Sequence, residues 1–300
     1  MSIFKRFFAL SAVFSLFLSC DGNFEAIDNE QRSGYLSSIS SSSNLELNSS
    51  DSKRVYKTAD YINRTTSGAV SLQPPSGGTI SEIEIYALGA GGGGQGGNYS
   101  GAVITEKGTG GAGGAGAASY AKLSGLELGT GETVSLNVTI GSGGSGGAAY
   151  TSTATRSGDP GGKGANTTVS WAAKSITISA EGGSGGGTSA SDKLVNGGDG
   201  GRVSSRPTSS FVIDWSSVAG ATGGNGDFDK DGARSNGGKA ATITKGSLSS
   251  FGGGNGATWN QDASPGGGGS GGYYINSNAT SGKKGGNGLV TIIYKYYTEE

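Results

Sequence analysis

The sequence predicts a mainly β fold in which short strands cap a bundle of polyglycine-II helices and irregular polar loops make the remaining connections. Three observations carry this. Glycine accounts for 62 of the 300 residues, against an ordinary share of roughly 7%. The glycines fall in runs, among them GAGGGGQGG at 89–97, GTGGAGGAG at 108–116, GSGGSGG at 141–147 and PGGGGSGG at 265–272. Between several runs lie segments that alternate apolar and polar residues with period two, the mark of a strand with one buried face.

The N-terminus reads as an export signal. Lys5 and Arg6 form a charged start, and Phe7 to Leu18 is an almost wholly apolar run, of signal-peptide length and too short to span a bilayer. It ends at Leu16-Phe17-Leu18-Ser19-Cys20, which resembles a relaxed bacterial lipobox with Cys20 as the lipidated residue. Cys20 is the single cysteine of the chain, so no internal disulfide forms. Two or three acyl chains, each CH2 contributing about 0.8 kcal/mol, hold a protein on a membrane where one chain is marginal. Residues 1–19 are thus expected to be a lipoprotein signal peptide, and residues 20–60 a Ser-rich tether. Ser37 to Ser43 is nearly all serine, and such a stretch lacks the apolar surface needed to offset its ordering entropy. A flexible coil of about 40 residues reaches roughly 35 Å. A short helical turn near Val55 to Ile62 is the only structure expected there.

The glycine-rich domain is expected over residues 61–300. All glycines but Gly22 and Gly34 lie in it. Ile80, Glu82, Glu84 and Tyr86 are expected on one face of a strand, with Ile83, Ile85 and Ala87 on the other. Thr133 to Ile140 and Ser175 to Ser179 alternate cleanly, and Leu289 to Tyr297 closes the chain as a β-rich run. Glycine costs about 0.5–1 kcal/mol relative to alanine on folding, so a folded domain carries so many only where a Cβ cannot be placed. Collagen is excluded, because no Gly-X-Y period exists and there are five prolines. Extended helices with three residues per turn and about 3.1 Å rise can approach closely enough to bond sideways, at roughly 0.5–1.5 kcal/mol per hydrogen bond. In the first half of the domain the order is glycine run, polar loop, glycine run, strand. If each run crosses the bundle once, strands gather at one end, and loops 98–107, 148–157, 188–195 and 227–235 at the other. The parity does not close after residue 236, which leaves loop 257–264 unplaced.

Four ordered landmarks then carry a resemblance. They are SGAVSLQPPSGGTISEIEIYALGAGGGGQGG (67–97), GETVSLNVTIGSGGSGG (131–147), GGKGANTTVSWAAKSITISAEGGSGGG (161–187) and GNGLVTIIYKYY (286–297). The chain resembles the glycine-rich domain family of phage tail-tip adhesins and bacterial surface proteins. That resemblance implies a polyglycine-II sandwich whose distal loops bind surface receptors. The signal and tether depart from the tail proteins and point to display on the bearer's own envelope, lipid-anchored in the outer membrane and exposed at the surface.

The chemistry in the sequence is sparse. There is no histidine to serve as base or metal ligand, the acidic residues show no paired spacing, and an enzyme is not expected. The net charge of -1 argues against a nucleic-acid partner, since phosphate binding needs a basic surface. Asp227, Asp229, Asp231 and Gly232 read as the first half of a calcium loop. Gly238 stands where a bidentate Glu would complete it, so a solvated Asp-Gly turn is the plainer reading and no cofactor is required. The aromatic residues in polar loops are the binding candidates, because exposed Tyr and Trp carry much interface energy: Tyr99, Tyr150, Phe228 and Trp259, with Tyr273 and Tyr274 also in polar sequence. The expected partners are a membrane, through the lipid anchor, and a host or cell-surface protein or glycan. The expected role is an adhesin or receptor-binding module; a surface coat or spacer without a ligand is the alternative.

Overall fold

The structure, a computed structural model, describes residues 53–59, 61–97, 108–149, 158–187, 194–227, 235–258, 261–275 and 278–300. These all belong to one compact unit, Lys53–Glu300. Its strands in chain order are β1 (Arg54–Thr58), β2 (Ile62–Arg64), β3 (Gly68–Leu72), β4 (Gly78–Leu88), β5 (Gly108–Thr109), β6 (Ala118–Leu128), β7 (Val134–Thr139), β8 (Thr167–Trp171) and β9 (Ile176–Ala180). There follow β10 (Leu194–Val195), β11 (Val212–Val218), β12 (Gly226–Asp227), β13 (Thr242–Ile243), β14 (Phe251–Gly252), β15 (Tyr273–Ile275), β16 (Asn278–Ala279) and β17 (Leu289–Glu299). The fold is mainly β and its pairs are antiparallel.

Two sheets form a sandwich. The larger runs β1-β17-β4-β6-β11, with β2 also on β17, and the smaller runs β3-β7-β8-β9. Alternation sets the core. Val134, Leu136 and Val138 of β7 turn inward while Ser135 and Asn137 face out. They meet Ile83, Ile85 and Ala87 of β4, Leu123 of β6, Val290 and Ile292 of β17, and Val169, Ile176 and Ile178 of the small sheet.

Strand β4 departs from strict alternation. Against β17 the register of β4 shifts between Ile80 and Glu82, leaving Ser81 as an extra residue, and against β6 it shifts at the same place with residues 125–127 of β6 opposite Ser81. That bulge turns Ile80 inward, so Ile80 joins Ile83 and Ile85 in the core and parts from Glu82, Glu84 and Tyr86, with which strict alternation groups it. A second correction concerns the start of the domain. The expected helical turn at 55–62 is replaced by edge strands: β1 pairs with the end of β17, Arg54 opposite Glu299, and β2 with its start, Ile62 opposite Ile292. The compact unit therefore takes in Lys53 to Ala59, within the 20–60 stretch expected to be tether.

The glycine runs extend from the sandwich as rods. We number them r1 (89–97), r2 (110–117), r3 (141–149), r4 (158–166), r5 (181–187), r6 (196–203), r7 (219–225), r8 (235–241), r9 (253–258), r10 (265–272) and r11 (280–288). Rod r1 shows how they are held. Its N–H groups donate in strict rotation: Gly89, Gly92 and Gln95 to r2; Ala90, Gly93 and Gly96 to r4; Gly91, Gly94 and Gly97 to r11, at 2.8–3.2 Å. Its carbonyls accept in the same rotation from Gly144 and Gly147 of r3, Gly183 and Gly186 of r5, and Gly269 and Gly272 of r10. The period is three, that of an extended helix with three residues per turn. Every bond goes sideways to another rod and none runs along r1. Rod r2 is enclosed likewise by r1, r5, r6, r7, r8 and r10. The remaining rods ring this central pair in the order r3-r4-r5-r6-r7-r8-r10-r11, each bonded to the next, and r9 lies outside r8 and r10.

This lattice explains the glycine content. A Cβ built at Gly92 falls on the carbonyl of Ser184, one at Gly93 on that of Ser145, and one at Gly114 on that of Asp199, each far inside the 3.0 Å that Cβ atoms require. The rods can bond only because those side chains are missing.

Rod r9 resolves the parity. It runs outward only to mid-bundle, where Ala257 donates to Gly268 of r10. The chain then comes back, because Ser264 donates to Asn255 and Gly267 to Ser264. Run 252–256 does not cross the bundle, and the described part of loop 257–264 returns toward the strands.

Candidate functional site

Tracing the rods outward from the sandwich leads to one shared end. Gly97 of r1 donates to Thr280, Gly96 to Asp159, Gly147 of r3 to Gly94, Gly187 of r5 to Asn196, and Gly110 of r2 to Gly272. The residues on which loops 98–107, 148–157, 188–195 and 227–235 are mounted are therefore gathered at the end of the bundle away from the sheets. Short pairings stitch these mounts together. Strand β15 pairs with β16 and β5, Tyr273 standing opposite Thr109, while β10 pairs with β12 through Leu194 and Asp227. Tyr273 and Tyr274, expected in irregular loop, thus lie on a three-stranded sheet at this end.

The aromatic candidates Tyr99, Tyr150, Phe228 and Trp259 lie outside the described residues, as do Cys20, Asp229 and Asp231. Asp227 is the exception. It ends β12, and its backbone pairs with Leu194. Among the described residues no group of three or more metal-ligating side chains comes together. On either side of Trp259, Gln261 N–H donates to Thr258 O at 3.0 Å. These described neighbours follow the mid-bundle end of r9 and so stand apart from the shared loop end.

One side chain at this end escaped sequence reading. Gln95 interrupts the central run and is 3% exposed. Its Nε2 donates to Gly158 O at 3.1 Å, and its Oε1 accepts Gly111 N–H at 3.2 Å. The amide thus ties r1, r2 and r4 just below their loops. It fills the space past the last glycine of r5, where a Cβ on Gly187 would touch its side chain. A lone amide inside a run otherwise of glycine and one alanine is the signal that could have found it.

A polar cluster lies on the outer face of the large sheet, at the rod-proximal half. Glu84 is 2% exposed. Its Oε2 accepts the Tyr86 hydroxyl at 2.8 Å and Ser247 N–H at 2.7 Å, and its Oε1 accepts the Ser247 hydroxyl at 3.0 Å with Lys295 Nζ at 3.5 Å. Burial alone would raise this carboxyl, but the Ser247 and Tyr86 donors and the Lys295 charge outweigh it and hold the group below its usual value. Burial first, and then the neighbouring Glu84, push the Tyr86 hydroxyl far up. Around them Lys122 and Lys295 pair with Glu82 at 2.9 and 3.4 Å, and Lys245 with Asp214 at 2.8 Å.

The cluster is a clamp. Both carboxylate oxygens of Glu84 are occupied, and the β13–β14 hairpin lies over them. Gly246, at φ +68°, packs so tightly that a Cβ would strike Tyr86, Glu84 and Tyr120. Beneath the hairpin Ile243 and Phe251 bury against Tyr86, Leu88, Tyr120 and Ile293. An acid–base role would need a free oxygen facing solvent, and Glu84 offers none.

At the opposite pole the domain's ends meet. Lys53 and Glu300 exchange backbone hydrogen bonds at 3.1 Å. Arg54 lies over the Tyr297 ring at 4.4 Å, and Tyr56 packs on the same ring at 5.6 Å. The residue that follows the N-terminal segment is therefore at the far end of the sandwich from the rods. Strand β4 spans 11 residues, about 36 Å, and r1 adds about 28 Å, so this pole and the loop mounts are roughly 60 Å apart.

No curated protein matched the chain. The model of a glycine-rich domain matches residues 65–295, from just before β3 into β17 and through every rod, and the chain belongs to the glycine-rich domain family.

Proposed function

We propose that this is a surface-displayed lipoprotein, not an enzyme, acting as an adhesin or receptor-binding module. Its rods, read as polyglycine-II helices, form a stiff frame for the loops mounted at their outer end. The observation that carries the reading is polarity. The N-terminal segment joins the domain at one pole, and the loop mounts lie about 60 Å away at the other. Lipidation at Cys20 would anchor the first pole to the envelope, in the outer membrane, and turn the loops toward a partner. That partner is a host or cell-surface protein or a glycan, met by Tyr99, Tyr150 and Phe228. Trp259 is the weaker candidate, because the described residues beside it turn back toward the sheets.

Two measurements test this. Cys20→Ser should leave the protein unprocessed or release it from membranes; unchanged membrane retention and acyl labelling would end the lipoprotein reading. The protein screened on glycan and surface-protein arrays should bind saturably, and Tyr99→Ala, Tyr150→Ala or Phe228→Ala should weaken capture by about 1–4 kcal/mol at a hot spot with melting unchanged. Normal binding with early melting would make these residues packing elements, and no saturable binding at all would favour a spacer.

A further inference from the structure

The chain contains five Asn-Gly steps: Asn196, Asn225, Asn236, Asn255 and Asn287 each precede a glycine. Such a step carries a reaction of its own. The backbone nitrogen of the glycine, once it gives up its proton to base, can attack Cγ of the asparagine, unhindered by a Cβ. An N–Cγ bond forms and closes a succinimide, the Cγ–Nδ2 bond breaks, and the side-chain nitrogen takes up a proton and leaves as ammonia. Water then opens the ring. Attack at Cγ gives aspartate, and attack at the backbone carbonyl gives isoaspartate, whose main chain runs through Cβ and Cγ. Water is the only co-reactant. The step also needs a glycine N–H that is not held by another rod and an amide that can swing back onto its own chain.

The lattice withholds these conditions at four of the five steps. After Asn196, Gly197 N–H donates to Asn225 Oδ1 at 2.9 Å, and the same bond holds the Asn225 amide on the neighbouring rod. Gly226, after Asn225, is buried in the β10–β12 pairing. After Asn236, Gly237 N–H donates to Ala257 O at 2.9 Å. At Asn287 both groups are held: Gly288 N–H donates to Gly141 O at 2.8 Å, and Asn287 Oδ1 accepts Gly143 N–H at 2.9 Å. Exposure does not separate the steps, since Asn225, Asn236 and Asn287 are as open to solvent as Asn255. Asn255 differs in its bonding. It lies on r9, outside the ring, and among the described residues neither its side chain nor the N–H of Gly256 has a hydrogen-bond partner. Its carbonyl accepts Ser264 N–H at 3.2 Å. The rod is otherwise fixed on either side, by Ala240 N–H on Gly254 O at 2.9 Å and by Ala257 N–H on Gly268 O at 2.8 Å.

We infer that Asn255 is a site of spontaneous deamidation, and that the lateral bonds of the bundle protect the other four Asn-Gly steps. Those four react only after a local opening that first breaks a bond, whereas Asn255 needs none at the attacking nitrogen. The consequence is local to r9. Isoaspartate at 255 lengthens the main chain between Gly254 and Ala257, so the bonds on the two sides cannot both keep their register, and r9 loses its seat on r8 and r10. This is independent of what the loops bind.

The test follows all five steps at once. The full chain is kept folded at mildly alkaline pH, and samples taken over time are digested and read by fragment mass spectrometry for acid in place of amide. Asn255 should convert first, about tenfold faster than the other four, the factor that one hydrogen bond of ordinary net strength imposes. The same chain in denaturant should convert all five at closely similar rates, which assigns the difference to the fold. A folded chain in which Asn255 converts no faster than the rest, or in which another step leads, overturns the inference. The variant N225A tests the protection itself. It removes the acceptor of Gly197 N–H, so Asn196 should speed up several-fold while Asn236 keeps its rate. An Asn196 as slow as before would overturn the assignment of protection to lateral bonds.

Discussion

The sandwich and the bundle are continuous in one chain, and opposite chemistry holds them. In the sandwich, side chains do the work. Ile83, Ile85, Leu123 and Ile292 are buried to 1% or less, and backbone bonding is confined to strand ladders. In the bundle the backbone is the core, and the interior of r1 is N–H and C=O groups bonded in six directions. Burying a backbone amide is tolerable only when it is paired, and the three-residue rotation pairs every N–H of r1. The difference teaches that one domain can be destabilised by removing carbon in one region and by adding it in the other.

The largest effect should come from adding carbon to the lattice. Gly92→Val or Gly114→Val drives a side chain into the carbonyl of Ser184 or Asp199. Lost lateral bonds and overpacking together should cost about 4–6 kcal/mol, near the whole stability of a typical domain, and chemical denaturation should read it. Thr222→Val, on the exposed side of r7, should change stability by less than about 0.5 kcal/mol. Equal losses at Gly92 and Thr222 would mean that the rods do not pack as described.

Removing carbon from the sandwich comes next. Ile85→Ala should cost about 2–5 kcal/mol, whereas truncating the exposed Ile213 of β11 should cost little. The clamp is smaller still. Glu84→Gln leaves the Ser247 and Tyr86 donors with a weaker acceptor and should cost about 1.5–3 kcal/mol. The pH dependence has a definite sign. The folded carboxyl titrates below its unfolded value, so its contribution is complete above the unfolded value and disappears as pH falls through the folded one. In the Gln variant that acid-side loss should shrink; an unchanged acid limb would show that Glu84 is not its source.

Much of this was legible in the sequence, and the parts that were not have specific causes. Strict period-two alternation located β7 and β9, a β-rich run located the closing strand, and the run–loop–run–strand order placed the loop mounts at one end. Alternation misassigned Ile80, because a one-residue bulge at Ser81 is invisible to a pattern of period two. Residues 55–62 looked helical on local grounds, but their partner is β17, more than 200 residues away in the chain. The most telling signal lay unread inside the glycine runs. Apart from Gln95, central r1 and r2 hold only glycine and alanine, while r3, r6, r7 and r11 carry mostly polar side chains at every third position, so a rod's place in the bundle is written in the polarity of the residues between its glycines. The four aromatic loop candidates and two of the three aspartates lie outside the described residues, and their roles rest on the loop mounts alone.

Native-state hydrogen exchange of the glycine amides tests the central claim most directly, because it reads each lateral bond separately. Every amide from Gly89 to Gly97 should be protected to the level of the β4 and β17 core. In r3, Gly144 and Gly147, which donate to r1, should be protected, while Ser142 and Ser145, which have no backbone acceptor among the described residues, should exchange quickly. Protection throughout r1 with this period-three pattern in r3 is the predicted result. Glycine amides of r1 exchanging at the rate of an unstructured chain, beneath a protected sandwich, would contradict it.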